Sequence, residues 1–442
     1  MTEKETVIAD ICAKLKITAL NEMQTAALKA IEEKDALILL SATGSGKTLA
    51  FLVPLILQLD KKNNFIQSLI IVPSRELALQ ITDVLKKIQP GYKITACYGG
   101  HKREIEENNL VEPPAIIVAT PGRMADHIRR KNVDLSATRF LVLDEFDKCL
   151  ELGFQEEMEF IISAVPAVKK RMLTSATFSV EIPAFMDAEN ATTINYLHAD
   201  QGKPATVSFH AIHAPDNDKL DTLLQLICHL KNTSTIIFCN HRDAVERTSR
   251  FLSDNGIVNV FYHGGMEQHD REVAMVKFRN SSSDILVTTD LASRGLDIAD
   301  IRSIVHYHLP LTEEAFVHRN GRTARMEATG NVYMIIGPEE TVPAFVKDPV
   351  IRLEPLPGLN LPDKPKWSTL FIAAGKKDKV NKIDIVGFLS NIGRLKKDEI
   401  GLVDVKDHTS FAAVRKSKVG VVLELIKNEK IKNRKVKIAL AR

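Results

Sequence analysis

The stretch ALILLSATGSGKTLAFLVPLIL, residues 36–57, runs from a short apolar segment through a glycine-bearing loop into a helical apolar pattern. ALILL (36–40) is too short and too uniformly apolar for an amphipathic helix, so it predicts a strand covered on both faces. In SATGSGKT (41–48), Gly44 and Gly46 let backbone N–H groups wrap a polyphosphate at the N-terminus of the following helix. In such a loop Lys47 reaches the β- and γ-phosphates and Thr48 ligates Mg²⁺. The strict pattern has glycine where Ser41 stands, so this is a small-residue variant. The candidate phosphate cradle is therefore Ser41, Ala42, Thr43, Gly44, Ser45, Gly46, Lys47 and Thr48.

Outward from this loop the same kind of run recurs. SLIIV (68–72), AIIVA (115–119), FLVLD (140–144) and RMLTSAT (171–177) alternate with helical patterns. After a reset come TIIFCN (235–240), VNVFYHG (258–264), DILVTTD (284–290), SIVHYH (303–308) and NVYMIIG (331–337). The fold class is α/β, with two tandem parallel-sheet domains expected over 1–203 and 209–345 and QGKPATVS (201–208) as connector. Such sheets bind ligands beyond the carboxyl ends of their strands. A proline-rich stretch within 346–368 predicts an extended linker. Residues 369–442 then read β-α-β-β-α-β, which predicts a small α+β domain with two helices on one face of a four-stranded sheet.

Composition sets bounds. A chain of 442 residues, 45% hydrophobic and 26% charged, is globular and too long for one ordinary domain. Five scattered cysteines (Cys12, Cys97, Cys149, Cys228, Cys239) form no C-x-x-C pair, which argues against a disulfide framework or a zinc ribbon and fits a reducing cytoplasm. No stretch approaches the ~18 apolar residues of a membrane span, and MTEKETVIADICAKL lacks an export-signal pattern. The net charge of +3 hides an asymmetry: from Phe371 onward 18 Lys and Arg face 8 Asp and Glu. A basic block of that kind on a near-neutral body predicts a nucleic-acid contact.

The acids of FLVLDEFD complete the first motif. Asp144 ends a predicted buried strand, where a P-loop enzyme holds Mg²⁺ through a carboxylate, and Glu145 beside it can polarise an attacking water. Asp147 follows across Phe146, whose ring is expected to point into the apolar layer beneath the strand.

With SATGSGKT and DEFD in place, further motifs fall in order: Gln24, PSRELALQ (73–80), Gly99-Gly100, TPGR (120–123), SAT (175–177), IIFCN (236–240), HGGMEQHDR (263–271), TTDLASRGLD (288–297) and HRNGRTAR (318–325). Over residues 1–345 the chain resembles the DEAD-box RNA helicases. The resemblance implies two RecA-like domains that use ATP and Mg²⁺ to clamp RNA and open short duplexes. It assigns adenine reading to Gln24, whose amide both donates and accepts. Ile17 stands where the family commonly stacks an aromatic ring, and Asn21-Glu22 replaces the usual Thr-Pro. It makes Arg322 and Arg325, spaced to project alike from a helical turn, the arginines that neutralise charge on the γ-phosphate, an effect of about 10³ to 10⁵ in rate. His318 would couple the domains and Asp297 would hold the ribose. Ser175 and Thr177 would link hydrolysis to opening, with Asp147 the partner of Ser175. RNA contacts would come from Pro73, Arg75, Gly100, Thr120 and Arg123, and from Gly265, Arg271, Thr289 and Arg294, without sequence readout.

The C-terminal block resembles the RNA-binding domain of the DbpA helicase subgroup, on AGKKDKVNKIDIVGFL (374–389), IGLVDVKDHTSFAAV (400–414) and IKNRKVKIAL (431–440). That likeness implies an RRM-like module anchored on large-subunit ribosomal RNA. SFAAVRKS carries one ring, Phe411, where an RRM has several, and its alternation with Ala413 leaves it open between core and base contact. Recognition would rest on basic residues, chiefly Lys376, Lys377, Lys379, Lys432 and Arg434. The expected activity is an RNA-dependent ATPase, working as a monomer on ribosomal RNA during large-subunit assembly. A general RNA chaperone, cold-shock or decay helicase is the alternative, and an ATP-gated RNA clamp acting as a scaffold is a reading from another class.

Overall fold

A computed structural model describes residues 2–42, 44–100, 103–176, 182–197, 207–290, 301–323, 330–354, 360–432 and 434–441. Of the expected site residues, Thr43, Thr177, Arg294, Asp297 and Arg325 lie outside them. The described chain forms two compact units, one from the residues up to 197 and the other from those beginning at 207.

The first unit is built on seven strands: β1 Ala36–Ser41, β2 Ser68–Ile71, β3 Ile94–Cys97, β4 Ile116–Ala119, β5 Phe140–Leu143, β6 Lys170–Ser175 and β7 Thr192–Tyr196. They are all parallel, in the order β3-β4-β2-β5-β6-β1-β7. Strands β2, β4 and β5 are buried along their whole length, because helices cover both faces and leave two apolar clusters, one on each side. The apolar runs therefore predict them directly. The edge strands β3 and β7 escape that reading because their burial alternates.

The second unit repeats the plan with β8 Val207–His213, β9 Thr235–Phe238, β10 Val260–Tyr262, β11 Ile285–Thr288, β12 Ser303–His306, β13 Gly330–Ile336 and β14 Val350–Leu353. These are again all parallel, ordered β10-β11-β9-β12-β13-β8-β14. Strand β8 starts inside the expected connector, and β14, inside the expected linker, pairs with β8 as an edge strand. Farther along, Pro362 and Pro365 lie in a stretch with no helix or strand, and Asp363 there accepts a hydrogen bond from Asn232 Nδ2 at 2.8 Å.

The same unit carries a second, antiparallel sheet. Its strands are β15 Trp367–Ile372, β16 Ile400–Val405, β17 Ser410–Arg415 and β20 Ile438–Leu440, ordered β16-β17-β15-β20; β18 Lys430–Ile431 and β19 Arg434–Lys435 form a separate hairpin. The helices Lys382–Asn391 and Val419–Ile426 contribute Ile385, Phe388, Leu389, Val422 and Ile426 to its core, as the alternation predicts. Phe371 and Phe411 belong instead to a cluster with Val273, Val276 and Ala441, so this part of the sheet lies against the helix Gln268–Arg279. Asn280 and Thr369 pair in a buried hydrogen bond at 2.9 Å, and Thr369 Oγ1 lies 2.9 Å from Ser282 Oγ.

Candidate nucleotide site and RNA-facing surfaces

Strand β6 lies between β1 and β5, so the loop after β1, the acids after β5 and Ser175 at the end of β6 share one edge of the sheet. Gly44 and Gly46 take φ of 84° and 94°, backbone that a side chain rarely tolerates. Gly46 caps the helix Lys47–Leu57, whose N-terminal N–H groups therefore face the loop. A Cβ on Gly46 would come within 2.5 Å of Gln24 Nε2. Lys47 is buried and its ammonium donates to Ser41 O at 2.5 Å and Ala42 O at 3.1 Å. The Ser41 and Ser45 hydroxyls pair at 2.8 Å, while Thr48 is half-buried one residue into the helix.

Gln24 is bonded into this loop. It is buried, its Nε2 donates to Gly46 O at 3.1 Å and its Oε1 accepts from Asn21 N–H at 2.9 Å. Asn21 returns a bond to Gln24 N–H and reaches Ser45 O at 3.0 Å. The Asn21 that replaces the usual Thr thus caps the helix Glu22–Glu33 and tethers it to the phosphate loop. Ile17 is half-buried just beyond the left-handed cap at Lys16.

Asp144 and Glu145 are both buried. Burial pushes the Asp144 carboxyl above the usual carboxylate range, against the opposing pull of the Thr174 hydroxyl bond and the Lys47 charge. Thr174 donates to Asp144 Oδ1 and accepts from the Glu145 backbone N–H at 3.2 Å, so one hydroxyl holds the Asp144 carboxylate and the Glu145 backbone. Glu145 holds a left-handed backbone, φ 48° and ψ 49°, at the start of the short helix Phe146–Glu151. A non-glycine residue in that region carries about 1 kcal/mol or more of strain, the kind concentrated at functional sites. Asp147 is buried beside Lys148, and Ser175 is buried at the end of β6. Phe146 is 2% exposed within the apolar cluster that contains Leu143, Leu173 and Met158, as its sequence position implies. This donor set suits Mg²⁺ and a polyphosphate: hard oxygen ligands, a lysine ammonium, and a carboxylate whose burial a cation would offset.

In the second unit His318 and Arg322 are buried. The helix Glu313–Asn320 closes at Asn320, with Gly321 as its cap, so Arg322 sits in a turn and not on the helical turn that its spacing to Arg325 suggested. Sequence reasoning assigned no role to Arg319, yet it is fully buried. It grips both Asp290 oxygens at 2.5 and 3.0 Å, and donates to His308 O and Asn240 Oδ1, each at 2.8 Å. Burial and this guanidinium pull His306 down to about 3, which keeps it neutral.

The expected RNA-contacting residues of the first unit cluster after β2, β3 and β4, three neighbouring strands. Pro73 is buried; Arg75 is half-buried, its Nη1 donating to Gly99 O and Gly100 O, each at 3.3 Å, and its guanidinium 4.7 Å over the Tyr98 ring. Gly100 has φ 91°, and a Cβ there would meet Arg75 Nη1 at 2.6 Å. Thr120 caps the helix Pro121–Arg129 that carries Arg123. In the second unit Gly265 is exposed, Thr289 is half-buried, and Arg271 Nη2 donates to Gln268 Oε1 at 2.7 Å.

In the C-terminal sheet Phe411 is fully buried, its ring 5.7 Å from Phe371, which closes the open choice in favour of packing. The basic residues gather elsewhere. Lys376, Lys377 and Lys379 are exposed on a turn pinned by Lys376 N–H to Lys406 O at 2.8 Å and Lys377 N–H to Asp407 O at 2.9 Å. Gly375 is required for that approach, since a Cβ would lie 2.2 Å from Lys406 O. Lys432 Nζ donates to Lys379 O at 2.9 Å and Arg434 Nη1 to Asp378 at 3.1 Å, joining the two basic turns into one face.

Comparison with known proteins agrees with this organisation. The DEAD/DEAH box helicase family matches residues 21–185, the helicase conserved C-terminal domain matches 218–327 and the DbpA RNA binding domain matches 369–440. ATP-dependent RNA helicase DbpA of Bacillus subtilis is 31% identical over 96% of this chain and 95% of its own length. Its Escherichia coli namesake is 31% identical over 96% and 97%. Among solved structures, Saccharomyces cerevisiae Dbp5 bound to RNA and ADP BeF3 shares the fold with a TM-score of 0.69, at 24% identity over 80% of this chain and 94% of that one. The chain belongs to the DEAD-box ATP-dependent RNA helicases, in their DbpA-like branch.

Proposed function

We propose that this helicase opens short duplexes within ribosomal RNA during assembly of the large ribosomal subunit, acting as a cytoplasmic monomer. The observation that carries the reading is the DbpA-type domain at 369–440, whose two basic turns meet in one exposed face. With Phe371 and Phe411 packed against the chain's own helix Gln268–Arg279, base stacking there gives way to phosphate and edge contacts from Lys376, Lys377, Lys379, Lys432 and Arg434. The working division is 1–203 for the first RecA-like domain and 369–442 for the RNA-binding domain; β8 and β14 widen the second RecA-like domain, expected over 209–345, to 207–353, and shorten the linker, expected over 346–368, to the stretch after β14.

In the ATP site Lys47 holds the β- and γ-phosphates, and Glu145 orients the attacking water. Mg²⁺, held by Thr48 and Asp144, supplies charge neutralisation of the phosphate oxygens. Gln24 selects adenine beside Ile17, Asp297 holds the ribose, and Arg322 and Arg325 meet the γ-phosphate. His318, Asp147, Ser175 and Thr177 transmit the outcome of hydrolysis. The remaining core contacts, Pro73, Arg75, Gly100, Thr120, Arg123, Gly265, Arg271, Thr289 and Arg294, bind the RNA backbone, so the core reads no sequence.

Competition binding between large-subunit ribosomal RNA fragments and random hairpins tests the assignment. Preference for the ribosomal fragments, lost together with the steep salt dependence when 370–442 is deleted, is the expected result. Equal binding to every hairpin would point instead to a general chaperone or decay helicase.

A further inference from the structure

Beneath the RNA-facing loops of the first unit lies a buried carboxylate that the ATP and RNA assignments leave unused. Glu106, on the helix Arg103–Leu110, is 1% exposed. Its Oε1 accepts from Tyr98 N–H at 2.8 Å; its Oε2 accepts from Arg123 Nη1 at 3.2 Å and pairs with His127 Nε2 at 2.7 Å. His127 is fully buried, and Asn132 Nδ2 donates to its Nδ1 at 3.1 Å, which assigns the ring proton to Nε2 and directs it at Glu106. Tyr98 in turn supports Arg75 through its ring and leads directly into Gly99 and Gly100, whose carbonyls Arg75 holds. One carboxylate therefore joins two segments that carry expected RNA contacts, the Tyr98–Gly100 loop and the helix of Arg123, and through Tyr98 it supports a third, at Arg75.

A carboxylate this deep is retained at a desolvation cost that its partners must offset. Surface charge alone would serve to attract RNA; a buried anchor serves to fix direction. We propose that Glu106 is a positioning residue for RNA: it sets the Arg123 guanidinium and the Tyr98–Gly100 loop in their binding arrangement before RNA arrives, with His127 orienting the carboxylate. Preorganisation of this kind lowers the ordering cost of binding and leaves the chemical step untouched. The inference rests on the reading of Arg75, Gly100 and Arg123 as RNA contacts.

The test is steady-state ATP hydrolysis by the full chain against RNA concentration, for Glu106→Gln, Arg123→Ala and the double variant. Glu106→Gln raises the half-saturating RNA concentration about tenfold, the scale of one lost charge-assisted hydrogen bond, while kcat at saturating RNA and the ATP half-saturation stay within about twofold. Arg123→Ala weakens RNA dependence similarly, and the double variant is no weaker than the worse single one, because both remove the same interaction. Weakening by Arg123→Ala but not by Glu106→Gln overturns the positioning role, as do additive effects. If Arg123→Ala leaves RNA dependence unchanged, the RNA-contact reading itself falls and the inference with it. Should Glu106→Gln not fold, His127→Asn keeps the carboxylate and removes its orienting donor, and an unshifted RNA dependence in that folded variant also overturns the proposal.

Discussion

Replacing Phe146 by alanine separates packing from chemistry at the DEFD motif. The ring is 2% exposed in a cluster with Leu141, Leu143, Leu173 and Met158. A buried Phe→Ala change costs about 3 to 5 kcal/mol through lost transfer energy and the cavity left behind, and burial of a ring of ~170 Å² at ~25 cal/mol/Å² gives about 4. For a unit of this size each kcal/mol lowers the melting temperature by roughly 2 to 4 °C, so a drop of about 6 to 20 °C is expected. Thr174 on β6 holds the Asp144 carboxylate and the Glu145 backbone N–H, so neither bond is made by the ring. Calorimetry of the full chain, together with ATP hydrolysis well below the transition, reads both effects: kcat stays within about twofold. Loss of turnover with the transition unmoved would refute this, because the ring would then be acting on the acids. An unmoved transition with full activity would refute the packing magnitude.

Thr174→Val keeps the shape of the side chain and deletes the hydroxyl between Asp144 and Glu145; a fall in kcat of about 10- to 100-fold is expected from 1.5–3 kcal/mol of lost charge-assisted bonding, and an unchanged kcat would remove Thr174 from the site. His306, held near 3 by burial and Arg319, stays neutral in the fold while the unfolded chain takes a proton near 6.5. The unfolded state thus binds more protons, and the second unit loses stability as pH falls from about 6.5 toward 3, with a slope approaching about 1.4 kcal/mol per unit. Denaturant titrations across that window show the slope, and His306→Gln flattens it; an equally steep variant contradicts the assignment. Asn280→Ala breaks the buried pair with Thr369 at a cost of about 1 to 3 kcal/mol, so hydrogen exchange in β15 and β17 should quicken; unchanged protection would mean that the contact does not hold the two parts together.

The parallel sheets were legible because doubly covered strands read as unbroken apolar runs, and β2, β4, β5 and β9 are buried from end to end. Strands with one wet edge were not: β3 and β7 alternate, and β14 follows the last apolar run inside a proline-rich stretch. The phosphate loop and the acid pair were legible for a chemical reason, since glycine, lysine and carboxylate at fixed offsets do few other things together. Thr174 lies within RMLTSAT, but a hydroxyl one residue before Ser175 reveals its partners only when β6 is set between β1 and β5. Glu106 and Arg319 are hidden in the sequence for the same reason. Their charged partners Arg123 and Asp290 lie 17 and 29 residues away in the chain, and no local pattern marks a charge as buried. Spacing misled at Arg322, where Gly321 ends the helix.

The measurement that bears most directly on the account is ATP hydrolysis by the full chain with and without RNA, repeated for Lys47→Ala and Glu145→Gln. The account predicts turnover that rises with RNA and disappears in both variants, with RNA binding retained. Turnover indifferent to RNA, or RNA-stimulated turnover that survives Glu145→Gln, would contradict it.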